Sequence, residues 1–136
     1  MPVDPVILDG LQPTQPAEVF ARAVDLICRR AYSPRARPQT VAQGRRLLLE
    51  VDRHVFHADY AACQSFDARP LLPTIDRPVL IIAGELDEMT PAAESRYLAA
   101  HIPDARLVEV RAAGHMLIVE QPVMVAETVE RFLRAD

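Results

Sequence analysis

Two residues of this 136-residue chain, Asp87 and His115, have types suited to proton transfer. A neutral imidazole accepts a proton near neutral pH, because its reference pKa lies close by. A carboxylate on the other ring nitrogen sets the tautomer and stabilises the imidazolium that forms. Such a pair must arrive on two separate loops to meet in the plane of the ring. A nucleophile would complete the set, and the chain offers three serines: Ser33, Ser65 and Ser95. Spacing by itself leaves an ordinary reading open. Asp87 also belongs to an acidic turn, Glu85-Leu86-Asp87-Glu88, and His115 also follows a turn glycine, Gly114.

Other residues invite chemistry less strongly. His54, His57 and Asp59 form His-x-x-His-x-Asp. A metal site needs further ligands on the same face, and none is near in sequence, so a solvated or pocket-lining histidine pair is expected and no metal. Cys63 has no neighbour that would lower its pKa and activate it as a nucleophile, so it is expected to be buried and structural. Phe56, Phe66 and Met116 are candidates for a substrate-binding wall, and each is equally a candidate for the core. The arginines Arg29, Arg30, Arg35 and Arg37 read as a solvated edge.

Two patterns of elements position these residues. Residues 1–15, rich in proline and polar groups, read as an irregular lead-in. Residues 16–31 carry Val19, Phe20, Ala23, Val24 and Ile27 at helical spacing. A second helix is predicted from Pro38 to about His54, with Val41, Leu48 and Val51 inward and Gly44 weakening it. A third, short helix covers about residues 57–66. Beyond Arg69 the pattern changes. Val79-Leu80-Ile81-Ile82-Ala83 is a continuous apolar run between Pro78 and Gly84, which suits a parallel strand buried on both faces. Thr90-Pro91 reads as a helix start, with threonine as the cap and proline at the first position. That helix would reach His101, with Tyr97, Leu98 and Ile102 inward. Residues 106–110 form a more polar strand, and Gln121-Pro122 opens a last helix with Val125, Ala126, Val129, Phe132 and Leu133 as its apolar stripe.

Strands alternating with helices build parallel β-α-β units, whose sites lie beyond the carboxyl ends of the strands. Asp87 follows the first strand by four residues and His115 follows the second by five. Both therefore leave the same sheet edge on neighbouring loops. The predicted fold class is α/β, with a helical segment over residues 1–70 and a β-α-β-α part with two parallel strands over residues 71–136.

Composition excludes several classes. Half of the residues are hydrophobic and a quarter charged, as in ordinary globular domains. The net charge of -4 gives no basic face for nucleic acid. No apolar run approaches the roughly 20 residues of a membrane span. The two cysteines, Cys28 and Cys63, lack metal or disulfide spacing, so a reduced, cytoplasmic protein is expected.

The stretch Arg77 to Pro91, with Glu85-Leu86-Asp87-Glu88-Met89-Thr90-Pro91 after the apolar run, resembles the acid-bearing strand and loop of α/β-hydrolases. Residues 102–110 resemble the following helix end and final strand. Ala113-Gly114-His115-Met116, then Glu120-Gln121-Pro122, resembles the histidine loop and last helix. Upstream, Asp59 to Asp67 is similar to the end of the cap in ester- and lactone-hydrolase members. The resemblance implies that Asp87 and His115 are the acid and base of a triad, that no cofactor is needed, and that the substrate is a small carbonyl compound. The family sets its serine in a Gly-x-Ser-x-Gly elbow ahead of the acid, and none of the three serines here is so flanked. The resemblance thus implies the C-terminal portion of an α/β-hydrolase fold, a helical cap followed by the last two strands and helices. Two functions follow as expectations. One is part of a serine-type hydrolase, its partner a nucleophile-bearing half. The other is a non-catalytic interaction or dimerisation module. Either way the apolar strand would have one unpaired edge, and a stable monomer is not expected.

Overall fold

A computed structural model of the chain describes residues 3–134. Its elements are α1 (Pro5–Gly10), α2 (Ala17–Ala31), α3 (Pro38–Glu50), α4 (Arg53–Ser65), a 3-10 turn (Arg69–Thr74), β1 (Val79–Gly84), α5 (Ala92–His101), β2 (Ala105–Val110), α6 (Leu117–Glu120) and α7 (Pro122–Leu133). They fall into two compact units. Among the described residues the first holds 3–29 and 38–67, the second 30–37 and 68–134.

The first unit is helical. Its buried side chains include Ile7, Leu11, Phe20, Ala23, Val24, Ile27, Cys28 and Phe56. Phe56 stands edge-on to both Phe20 and Tyr60, with ring centroids 6.1 and 5.4 Å away. Arg53 covers the Phe20 ring, its guanidinium carbon 4.4 Å from the centroid, and donates to the Gln15 carbonyl at 3.0 Å. A planar cation with an apolar stem can do both. Arg45 on α3 pairs with Asp25 on α2 at 2.5 Å.

Three expectations are corrected here. The lead-in is not wholly irregular: Asp4 accepts from the Val6 N–H at 2.8 Å and Pro5 occupies the first turn of α1. Proline there removes only a donor that the helix leaves orphaned. The second helix stops at Glu50, not His54, and the third begins at Arg53, not His57. Asp52 is the reason, since its carboxylate accepts from the N–H groups of His54 and Val55 at 2.9 and 3.2 Å; an aspartate cap starts a new helix rather than continuing the old one. Val51 therefore sits in the break, 37 % exposed instead of inward.

The second unit contains the sheet. β1 and β2 pair in parallel, from Val79 opposite Ala105 to Gly84 opposite Val110, and α5 connects them. The sheet has two strands among the described residues, and Val79–Ile82 of β1 are only half-buried although apolar. Ala83, Ile102, Val110 and Ala113 are buried, as are Ala31 at the end of α2 and Tyr32 and Ser33 just after it. The stripe of α7 is only partly covered. Its buried residue is Thr128, whose hydroxyl donates to the Met124 carbonyl at 2.8 Å, while Val129 and Leu133 are exposed. Tyr97, expected inward on α5, is 38 % exposed and stacks on His101, one helical turn along. Among the described residues no helix is long and apolar enough to cross a membrane.

Candidate active site

The site is assembled where β1 and β2 end. Because the strands are parallel and in register at Gly84 and Val110, the two loops that follow leave the same edge side by side. Backbone bonds then join them. Glu85 N–H donates to the Val110 carbonyl at 2.9 Å, and Leu86 N–H to the Ala113 carbonyl at 2.8 Å. Glu85 reaches across as well, its carboxylate accepting from the Ala112 N–H at 3.0 Å. Ala112 has a left-handed φ of 58°, which turns the second loop back towards the first.

Two glycines permit this closeness. A Cβ on Gly84 would lie 2.2 Å from the Gly114 carbonyl oxygen and 2.5 Å from that of Ala113. A Cβ on Gly114 would lie 2.6 Å from the Ser33 nitrogen and 2.8 Å from the Ala31 oxygen. These are backbone atoms, so no side-chain rotation relieves the contact. The loop carrying the histidine is thus sandwiched between the end of β1 and residues 31–33.

In this frame His115 Nδ1 lies 2.9 Å from Asp87 Oδ2. The aspartate side chain is 7 % exposed and the histidine side chain 41 %. The carboxylate is fully engaged. Oδ1 accepts from the N–H groups of Met89 and Thr90, both at 2.8 Å, and Oδ2 accepts from the Thr90 hydroxyl at 2.9 Å as well as facing the imidazole. A carboxylate has about four lone-pair sites, and each is met. Thr90 Oγ1 also lies 3.2 Å from His115 Nδ1. An acceptor at Nδ1 favours the tautomer protonated there and leaves Nε2 as the basic nitrogen. The arrangement can take a proton at Nε2 while the buried carboxylate stabilises the resulting cation.

Thr90 departs from its expected role. Its side chain does not cap α5; Pro91 occupies the cap position without a side-chain bond. The hydroxyl is spent on Asp87 instead, a use that an Asp-x-x-Thr spacing permits because a short polar side chain and a carboxylate three residues apart in a turn are neighbours.

The remaining candidates divide between the two units. Phe56 is buried between two rings of the first unit's core, Phe66 is 78 % exposed beyond the end of α4, and Met116 follows His115 directly, its N–H donating to the Ala31 carbonyl at 3.0 Å. Cys63 is exposed, not buried as expected, because the chain is exposed from Ala62 to Asp67 and the last turn of α4 is uncovered; the buried cysteine is Cys28, whose thiol pKa is raised by burial. Among the described residues no three His, Cys, Asp or Glu side chains converge as a metal site. Ser33 is buried with its Oγ accepting from the Arg35 N–H at 3.2 Å, and Ser65 donates back to the Ala62 carbonyl at 3.4 Å. Glu120, part of the Glu120-Gln121-Pro122 motif but without a role assigned from sequence, accepts from the N–H groups of both Gly114 and Ser33 at 3.2 Å. A carboxylate five residues past the histidine was its one visible sign.

Comparison with known proteins places this geometry in context. The chain is 39 % identical over 79 residues to 3-oxoadipate enol-lactonase 2 of Acinetobacter baylyi, covering 55 % of this chain and 29 % of that protein. It is 38 % identical over 69 residues to a pimeloyl-(acyl-carrier protein) methyl ester esterase of Xanthomonas campestris pv. campestris, covering 51 % of this chain and 27 % of the other. The solved structure of a thermophilic esterase superposes with a TM-score of 0.83 at 32 % identity, over 98 % of this chain and 52 % of that one. This chain therefore spans about half the length of that esterase. The α/β-hydrolase fold family model matches residues 42–122, a stretch that contains both strands and both loops of the site, and the chain belongs to that family.

Proposed function

We propose that this chain supplies the acid, Asp87, and the base, His115, of a serine-type hydrolase acting on an ester, lactone or similar carbonyl compound. The observation that carries this reading is the 2.9 Å contact between a buried, fully hydrogen-bonded carboxylate and a part-exposed imidazole. His115 would take the proton from a serine through Nε2, and Asp87 would hold the ring and balance its charge. The relatives named for an enol-lactone and a methyl ester support the substrate class. The serine would come from a polypeptide segment outside these 136 residues, with the cap formed by residues 1–70 and the core part by residues 71–136. The half-buried apolar strand β1, paired on one side among the described residues, supports a strand-bearing partner on its other side, because an open apolar edge recruits a strand.

The test is chemical. The purified chain is incubated with a fluorophosphonate probe and a chromogenic ester, alone and with a polypeptide carrying a Gly-x-Ser-x-Gly half of the fold. No labelling is expected alone, since an acid and a base without a nucleophile form no acyl-enzyme. Turnover is expected on complementation, and His115→Ala should reduce it by about a thousandfold or more. Stoichiometric labelling of Ser33, Ser65 or Ser95 in the isolated chain would overturn the assignment. Light scattering reads the association. A complex with the complementing half is expected; a monodisperse monomer that binds no such half would refute the partner, and a homodimer would favour the interaction-module reading.

A further inference from the structure

His115 stands on a loop of non-glycine and glycine residues with no regular structure of its own, so something must hold its backbone. The contacts with β1 account for one side of the loop. On the other side lie residues 31–33, and Gly114 meets them backbone to backbone. Amide groups that approach this closely without forming a ladder need an acceptor. Met116 N–H finds one in the Ala31 carbonyl at 3.0 Å. Gly114 N–H and Ser33 N–H face no such carbonyl; both donate to one oxygen of Glu120, at 3.2 Å each. The two donors are 81 residues apart in the chain, and one carboxylate oxygen ties them together. Glu120 is half-buried and closes α6, the single turn that follows the histidine loop.

We propose that Glu120 is a positioning residue for His115: its carboxylate clamps the amide of the preceding residue, Gly114, to that of Ser33, and so keeps the imidazole on Asp87. The inference rests on the reading of His115 as the base. Two donors sharing one charged oxygen make charge-assisted bonds, stronger than the same bonds to an amide. Without the acceptor, two buried amides would lack partners and the loop would withdraw from residues 31–33 to hydrate them. A displacement of about 1 Å at the histidine backbone suffices to lengthen a 2.9 Å hydrogen bond beyond useful range. Glu120 touches no reacting atom. It acts through the loop.

The test uses the 15N-labelled full chain and three forms: parent, Glu120→Met, which is similar in length but carries no oxygen, and Glu120→Gln, which keeps an acceptor without charge. Amide exchange at Gly114 and Ser33 should accelerate about tenfold or more in Glu120→Met and by roughly threefold in Glu120→Gln. The ring 15N shifts of His115 should show a proton fixed on Nδ1 in the parent and in Glu120→Gln, and averaged tautomers in Glu120→Met. Exchange accelerated uniformly along the chain, or a His115 signature unmoved in Glu120→Met, would overturn the proposal. If Glu120→Met does not fold, Glu120→Gln decides: unchanged exchange at these two amides refutes the clamp. Ring shifts are read without turnover, so failure here is distinct from failure of His115 as a base, which the ester assay reads.

Discussion

Replacing Gly84 by alanine should loosen the site from a position that carries no reactive group. Gly84 ends β1 without a left-handed φ, so the substitution meets no backbone strain of its own and the effect is purely one of space. The added methyl would lie 2.2, 2.5 and 2.9 Å from Gly114 O, Ala113 O and Ala113 C. Non-bonded carbon contacts are optimal at about 3.5–4.0 Å, so the overlap exceeds 1 Å and falls on backbone atoms. The loop of residues 113–115 must retreat by about that distance. Overpacking of this kind costs about 1–3 kcal/mol, offset by roughly 0.5–1 kcal/mol because alanine loses less conformational freedom than glycine on folding. A net loss of up to about 2.5 kcal/mol is expected, several degrees in thermal midpoint for a chain of this size. The same retreat would stretch the Leu86 N–H bond to Ala113, now 2.8 Å, and part His115 from Asp87, now 2.9 Å. Circular dichroism melting reads the first effect and the His115 Nδ1 proton resonance the second. Alanine at residue 84 with an unchanged midpoint and an unchanged Nδ1 resonance would show that the close approach of the two loops is not what places the histidine.

Three further outcomes are expected. Ala112→Gly should leave stability unchanged or raise it by up to about 1 kcal/mol in urea unfolding, because the left-handed φ of 58° costs an alanine about 1–2 kcal/mol that glycine does not incur, against glycine's entropic penalty. Asp52→Ala should destabilise by about 1 kcal/mol in the same assay, through the loss of both bonds that start α4. Burial pushes the Tyr60 phenol from its usual 10.0 up to about 12. The unfolded chain therefore gives up that proton first, so the contribution of the neutral Tyr60 phenol is fully present below pH 10 and is lost as pH climbs from 10 towards 12. Tyr60→Phe should flatten that limb of a stability–pH curve relative to the parent, and parallel curves for the two would contradict it.

The pairing of Asp87 with His115 was legible because their placement follows from strand order. An apolar run between a proline and a glycine is a strand, a helix crossing over after it gives a parallel return, and parallel strands deliver their next loops to one edge. Asp87 and His115 follow from that reasoning without a single contact being known, and the structure sets them 2.9 Å apart. Helix existence was legible too, from the spacing of Phe20, Ala23, Val24 and Ile27, all of them buried. What the sequence left open depends on competition among neighbours distant in the chain. Asp52 could have been one more polar residue of a long helix, and Pro5 one more breaker. Thr90 had two possible employments, and tertiary proximity to Asp87 and His115 decided for the carboxylate over the helix cap. Phe56 within α4 became core, and Phe66 just past its end became surface. Gly84, Gly114 and Glu120 matter through Ala113, Ser33 and Ala31, partners that no local pattern names. Periodicity records which face of an element is buried; it holds no record of which backbone will press against that face. Close packing and shared acceptors are properties of pairs of segments, so they came into view only when the chain was folded.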